Sequence, residues 1–415
     1  MADIPSHITC CIAGGGPAGV MLGFLLARAG IEVMVLEKHP DFLRDFRGDT
    51  VHPSTLQLMD ELGLLAAFLQ RPHQEIRELH GIVGNFDVTF ADFSHLPTRC
   101  KFVALMPQWD FLDFLSEAGR RYPEFHLAME TEVIGLIEEG DRVAGVRVQS
   151  PAGEHEIRAD LVVGADGRHS VVRERAGLEV VDIGAPIDVL WMRLSKKDSD
   201  PGQTAGRLIG GRLLVMLDRG DYWQCAFVIR KGGYDAVRAR GIEKFRAEIV
   251  AIAPFLRDRV DELKDWDDVK LLTVAVDRLR QWWRPGLLCI GDAAHAMSPI
   301  GGVGVNLAIQ DAVAAANILA DPLLQGSVGE RDLAAVQSRR TLPTRVIQGV
   351  QVVIQKRILD RVIGRDAPVT APWPLRLFNR LPFLRRLPAR LVGMGVRPEH
   401  ICTPLRSAMH PIQQS

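Results

Sequence analysis

The chain has 415 residues, 47% of them hydrophobic and 24% charged, a composition of soluble globular proteins with two or three domains. That excludes a disordered, collagen-like or disulfide-scaffold protein. With 50 Lys/Arg against 51 Asp/Glu the formal net charge is -1, so no global field draws the chain to nucleic acid.

Six cysteines lack paired metal-ligand spacing, which fits a reducing, cytoplasmic setting, and the histidines show no ligand spacing, so no metal is expected. No basic patch precedes the first apolar run, and no stretch approaches the ~18 uninterrupted apolar residues of a spanning helix. The expectation is a soluble or at most peripheral protein, monomer or homodimer.

Hydrophobic periodicity predicts a β-α-β unit first: strand 8–13, helix 17–29 and strand 32–37. A helix over 54–69 follows, with Ser54 as N-cap after Pro53. Residues 76–106 read as short strands broken at Gly84-Asn85 and Pro97, and helix returns over 109–121. Strands 132–138 and 144–149 flank the hairpin turn Glu139-Gly140-Asp141, and 159–164 is a buried strand. The block 187–230 reads as an antiparallel sheet, followed by helix 242–253 and strands 269–276 and 287–290. A small-residue helix over 304–319 and a long helix over 330–362 precede a Pro-interrupted Leu/Arg segment. From Arg339 onward there are 14 Lys/Arg, with only Asp360, Asp366 and Glu399 as acids.

The sharpest local signal is Gly14-Gly15-Gly16-Pro17-Ala18-Gly19, a G-x-G-x-x-G pattern that ends a strand and opens a helix. Gly14 suits the tight turn, Gly16 the backbone approach to a pyrophosphate, and Gly19 close helix–strand packing. The helix N-terminus offers free N–H groups to phosphate, and Glu37 at the end of the next strand can accept from a ribose hydroxyl. The pattern predicts dinucleotide binding without separating FAD from NAD.

Two later stretches carry a resemblance. Gly164-Ala165-Asp166-Gly167-Arg168-His169-Ser170-Val171-Val172-Arg173 resembles the "DG" motif of class A flavoprotein monooxygenases, the para-hydroxybenzoate hydroxylase-like family. Gly291-Asp292-Ala293-Ala294-His295-Ala296-Met297-Ser298-Pro299, running on into Gly301-Gly302-Val303-Gly304-Val305-Asn306, resembles its "GD" motif. The order and spacing of the three motifs match that family from about residue 8 to 321.

The resemblance implies an α/β fold: a Rossmann-type FAD-binding domain from 1–71, 107–182 and 277–330, and a second, α+β substrate domain from 72–106 and 183–276 built on an antiparallel sheet. A C-terminal helical, basic segment, 331–415, completes it. It also implies an NAD(P)H- and O2-dependent hydroxylase of an aromatic or phenolic small molecule, acting through a C4a-hydroperoxyflavin. By the same resemblance the cofactor contacts are Gly14, Gly16, Ala18, Gly19, Glu37, Lys38, Arg47, Gln108, Val133, Asp166, Asp292, Gly304, Val305 and Asn306. Gln108 stands where many relatives carry Arg. Pro299, His52 and Tyr222 are the candidate catalytic positions, with His295 a standard part of its motif. No second G-x-G-x-x-G is present, as expected if NADH or NADPH binds transiently.

Two alternatives stay open at this point: a flavin-dependent reductase or halogenase on the same scaffold, and a non-catalytic FAD-binding interaction protein. The W-x-W-x-I-P segment of halogenases is absent. For the Leu/Arg segment the expectation is leucines packed on the body and arginines in solvent or against its acidic surface, with contact to an anionic membrane as the lesser reading.

Overall fold

The computed structural model describes residues 5–43, 50–201, 205–356, 363–364 and 369–406. Two large sheets organise them. The first has a parallel core in the order Leu287–Cys289, Gly153–Gly164, His7–Ala13, Val33–Leu36, Phe125–Ala128. Its central strands are continuous apolar runs buried on both faces: Cys10, Cys11, Ile12, Val35, Val162 and Val163 have no exposed surface. The strand Gly153–Gly164 serves twice. Its second half joins this core, while its first half pairs antiparallel with Arg142–Ser150, itself hairpinned to Glu132–Glu139.

Helix α1 (Pro17–Arg28) follows the first strand with Pro17 in its first turn. Helix α2 (Pro53–Glu61) has His52, not Ser54, as its N-cap residue, with Pro53 in its first turn. It does not run on to residue 69. Gly63 takes φ 71°, and Leu64 N–H bonds to the Met59 carbonyl at 2.8 Å, a Schellman closure that ends the helix before a short turn at Leu65–Phe68. Helix α3 (Gln108–Gly119) begins after Pro107. Helix α4 (Val303–Leu324) is long and apolar enough to cross a membrane, yet 78% of its apolar window is buried in the protein, against α1 and α5 (Glu330–Ile354). The expected long helix is described to residue 356; 357–362 lie outside the described residues.

The second sheet has seven strands in the order Lys270–Leu272, Ile187–Ser195, Tyr222–Arg230, Arg212–Asp218, Ala205–Ile209, Glu78–Val83, Phe86–Asp92. It is antiparallel except at one seam, where Ala205–Ile209 runs parallel to Glu78–Val83. The expected strand 269–276 shortens to three residues, and Val103–Leu105 lies between Thr50–Val51 and Gln74–Ile76, pairing with each in a separate small sheet. One face of the sheet packs on helix Ile242–Ile252 through Met192, Leu194, Cys225 and Phe227. The opposite face presents Val189, Ala226 and Val228 to Ile300.

The C-terminal segment forms α6 (Trp373–Arg380), a 3-10 turn Pro382–Arg385 and α7 (Arg386–Gly393). Its packing is divided. Leu375, Leu381, Leu384 and Leu391 are half-buried, whereas Leu377 and Leu387 point to solvent, which departs from the expectation that all the leucines pack on the body.

Candidate active site

The three glycine-bearing motifs meet at the carboxyl ends of the parallel strands. Gly14, at φ 105°, leaves the first strand, and a Cβ there would stand 2.4 Å from the Ala165 carbonyl oxygen. A Cβ on Gly19 would stand 1.9 Å from the Gly14 carbonyl oxygen. These two glycines therefore allow α1 and the Ala165 turn to close on each other. Gly16 differs: among the described residues nothing lies within 4 Å of where its Cβ would be. It forms an open cradle in front of α1, whose N-terminus no side chain caps. Glu37 accepts from the Gly15 and His39 amides, each at 3.1 Å, and so ties the end of the next strand to this turn. Lys38 is exposed, 3.8 Å from Glu132. Ala18 and Val133 are buried, and Gln108 opens α3. Arg47 lies outside the described residues.

Asp166 accepts from Val172 N–H at 3.1 Å, and its Oδ1 is buried without a protein partner. Burial raises its pKa, against the opposing bonds from Ser170 and Val172. Arg173 reaches across from this motif to the Asp277 carboxylate (3.5 Å) and the Ala293 carbonyl (3.5 Å), binding the DG turn to the GD turn.

A buried ion chain supports that second turn. Asp311 on α4 accepts from Gly291 N–H (3.1 Å), contacts His295 Nε2 (2.5 Å) and pairs with Arg340 Nε (2.8 Å). Arg340 also contacts Glu399 (3.1 Å). All four side chains are at most 6% exposed. Burial alone would raise Asp311, but the adjoining His295 and Arg340 lower its pKa on balance. His295 is thus engaged behind the turn that presents Asp292, whose side chain is half-buried. Asp311, Arg340 and Glu399 escaped the sequence reading, since no local pattern joins residues so far apart.

The loop beyond is held from two sides. Gly301 (φ 80°) and Gly302 (φ 63°) turn the chain into α4, whose N-terminus again has no side-chain cap. Pro299 precedes this turn with φ -68°. From α5, Gln348 Nε2 donates to the carbonyls of Asp277 (2.7 Å) and Ala296 (3.0 Å), and Gln351 Nε2 to those of Ser298 and Ile300, both 2.9 Å. From the other side, Thr50 donates to the Gly302 carbonyl at 2.9 Å. The Asn306 amide group is spent on Thr50, His52 and Thr55, so it reaches that strand and α2 with its side chain. Gly304 and Val305 form the first turn of α4 beside it.

The candidate catalytic positions occupy different elements. His52 is buried; its Nδ1–H donates to the Val392 carbonyl of α7 at 2.7 Å. Burial lowers its pKa from 6.5 to about 4, with that bond opposing. Pro299 and His52 flank one hydrogen-bonded corner through Thr50 and Asn306. Tyr222 is on the second sheet, its ring 3.7 Å from the Arg193 guanidinium, on the same strand face as Ala226 and Val228.

An open glycine cradle, two helix N-termini free of side-chain caps and an orphan acidic oxygen at one strand end fit FAD. The family model described as FAD binding domain matches residues 7–350. The chain is 36% identical to a 6-methylpretetramide 4-monooxygenase of Streptomyces rimosus over 93% of this chain and 92% of that one. It is 30% identical to the 12-dehydrotetracycline 5-monooxygenase/anhydrotetracycline 6-monooxygenase of the same species over 73% of this chain, spanning 60% of that longer relative. The myxobacterial chondrochloren halogenase CndH shares the fold with a TM-score of 0.75 at 20% identity, covering 93% of this chain and 91% of that one. The fold therefore leaves oxygen insertion and halogenation undivided, and the sequence relatives divide them. The chain belongs to the FAD-binding family of class A flavoprotein monooxygenases and is a FAD-dependent monooxygenase.

Proposed function

We propose that the chain hydroxylates a multi-ring phenolic substrate of the 6-methylpretetramide kind. The observation that carries this reading is the apolar wall facing the flavin loop. Ile300 packs in one cluster with Val189, Ala226, Val228, Leu213 and Val215 of the second sheet, and Arg193 stands further along the same face, opposite Gln224 and against the Tyr222 ring. Such a wall suits the face of an extended aromatic. Close by, Oε1 of Gln351 on α5 and both amide atoms of Gln355 just beyond it are buried without partners among the described residues, which would match hydroxyl and carbonyl groups on a ring edge. The near full-length likeness to a 6-methylpretetramide 4-monooxygenase supports the same substrate class.

The chemistry that bound FAD supplies is activation of O2 after reduction by NAD(P)H, with one oxygen atom passed to the ring. Gly14, Gly16, Ala18 and Gly19 with the N-terminus of α1 would hold the pyrophosphate, Glu37 the adenosine ribose, and Asp292 the ribityl chain. Asp166, Gln108, Val133, Lys38 and Arg47 complete that set. The N-terminus of α4, from Gly304 to Asn306, would place its positive end where negative charge grows on the ring. Leu391 and Val392 pack on Met297, Val303 and Leu307 and exclude water from that corner. His52, unprotonated near neutral pH, positions α7 rather than taking the substrate proton. Tyr222 would line the far end of the wall. In this reading residues 1–71, 107–182 and 277–330 would serve FAD, 72–106 and 183–276 the substrate, and 331–415 would form the closing segment.

The test is NAD(P)H oxidation by the FAD-loaded protein with 6-methylpretetramide and with single-ring phenols, hydrogen peroxide being assayed alongside. The expected result is acceleration by the multi-ring compound, peroxide well below the NAD(P)H consumed, and a product one oxygen heavier. Coupled turnover confined to single-ring phenols would overturn the substrate assignment.

A further inference from the structure

The C-terminal helices repeat one pattern ten residues apart. Trp373, Arg376, Leu377 and Arg380 in α6 correspond to Phe383, Arg386, Leu387 and Arg390 from the 3-10 turn into α7: aromatic, two residues, Arg-Leu, two residues, Arg. The spacing i, i+3, i+4, i+7 puts each quartet on one helical face. In the structure all eight side chains are exposed. Trp373 is 74% exposed, Phe383 59%, Leu387 69% and Leu377 47%.

These helices are not loose. Their other sides pack on the body through Leu375, Ala389, Val392 and Met394. The outward face is therefore held as a fixed surface in which bulky apolar groups alternate with guanidinium groups. No acid occurs between Asp366 and Glu399. Among the described residues the four arginines meet no carboxylate: Arg376 Nε donates to the Ala371 carbonyl at 3.1 Å, and Arg386 approaches His95 at 3.4 Å.

We propose that this surface docks the enzyme on an anionic phospholipid membrane. The arginines would face the headgroup phosphates while Trp373, Leu377, Phe383 and Leu387 enter the interface. Charge argues against a second copy of the chain as occupant, since two-fold pairing would set these four arginines against the same four. The overall charge of -1 means that the attraction belongs to this face and not to the whole molecule. Opposite this face, α7 touches the flavin loop through Leu391 and Val392, so docking would bring the reaction corner close to dissolved apolar aromatics.

The experiment is co-sedimentation of the full-length, FAD-loaded protein with vesicles of phosphatidylcholine alone or mixed with phosphatidylglycerol, at low and high salt. The expected result is binding to the anionic vesicles only, weakened by salt. Replacing the arginines together (Arg376→Gln, Arg380→Gln, Arg386→Gln, Arg390→Gln) lowers partitioning ~30-fold or more. A Trp373→Ser, Phe383→Ser pair lowers it ~10-fold while keeping the salt dependence. Thermal stability and FAD content, read on each variant, verify that the fold is intact. Three results would overturn the proposal: no binding to anionic vesicles at low salt, binding by the intact variants equal to the parent, or a dimer in solution that the arginine variant dissolves.

Discussion

Gly16 and Gly19 stand three residues apart in one motif, yet they answer to different constraints. A valine at Gly19 would drive its Cβ into the Gly14 carbonyl, and nothing there can yield except backbone. A valine at Gly16 meets no atom of the described residues within 4 Å of its Cβ. Gly19→Val is therefore expected to prevent folding, whereas Gly16→Val folds with parental circular dichroism and is isolated without flavin absorbance. A fully yellow Gly16→Val protein would remove Gly16 from the phosphate cradle. The motif was readable in the sequence because its spacing follows from local geometry. His52 and Tyr222 were nameable only as residue types: the Val392 carbonyl that engages His52 comes from 340 positions away.

At the scale of elements, sequence periodicity located most strands and helices, and the misses have physical causes. The break in helix 54–69 depended on Gly63 closing a Schellman turn, a glycine that the apolar pattern on either side concealed. The edge strand Phe125–Ala128 is four residues long and gains its β structure from pairing with Val33–Leu36. The link between α4, α5 and Glu399 was invisible because arginine and aspartate within helices normally face solvent. Here Arg340 is 1% exposed and bridges Asp311 to Glu399. Arg340→Met leaves two buried carboxylates short of a partner and is expected to cost ~3–5 kcal/mol of stability. It should also speed FAD release, because Asp311 holds the Gly291 amide of the turn that bears Asp292. Glu399→Gln, which can still accept from Arg340, should cost ~1 kcal/mol. Flavin fluorescence during thermal unfolding reads both effects; an Arg340→Met protein as stable as the parent would reduce the ion chain to passive packing.

Taken as one molecule, the chain is closed by its own end. Thr403 accepts from Arg28 at 2.8 Å, Asn317 binds the backbone at His400, Cys402 and Thr403, and α7 rests on His52. That closure carries a pH dependence through His52, whose pKa falls from 6.5 to about 4 in the fold. Between those values the unfolded chain binds a proton that the folded one does not, so stability rises with pH across this window. The contribution is complete above pH 6.5 and is lost as pH falls towards 4, amounting to ~3 kcal/mol. Asp166 acts in the opposite sense, since its raised pKa lets the fold take up a proton before the unfolded chain does. Asp311, lowered below 3.8, loses its contribution only under more acidic conditions. A single melting curve would mix these groups, and His52→Gln separates them, since its amide can donate to Val392 without titrating. The expected result is a parental melting temperature that drops relative to the variant from pH 6.5 to 4.5, with the two curves parallel above pH 7. Parallel curves throughout would mean that His52 is not held neutral by burial, and the bond from α2 to α7 would then carry no pH dependence.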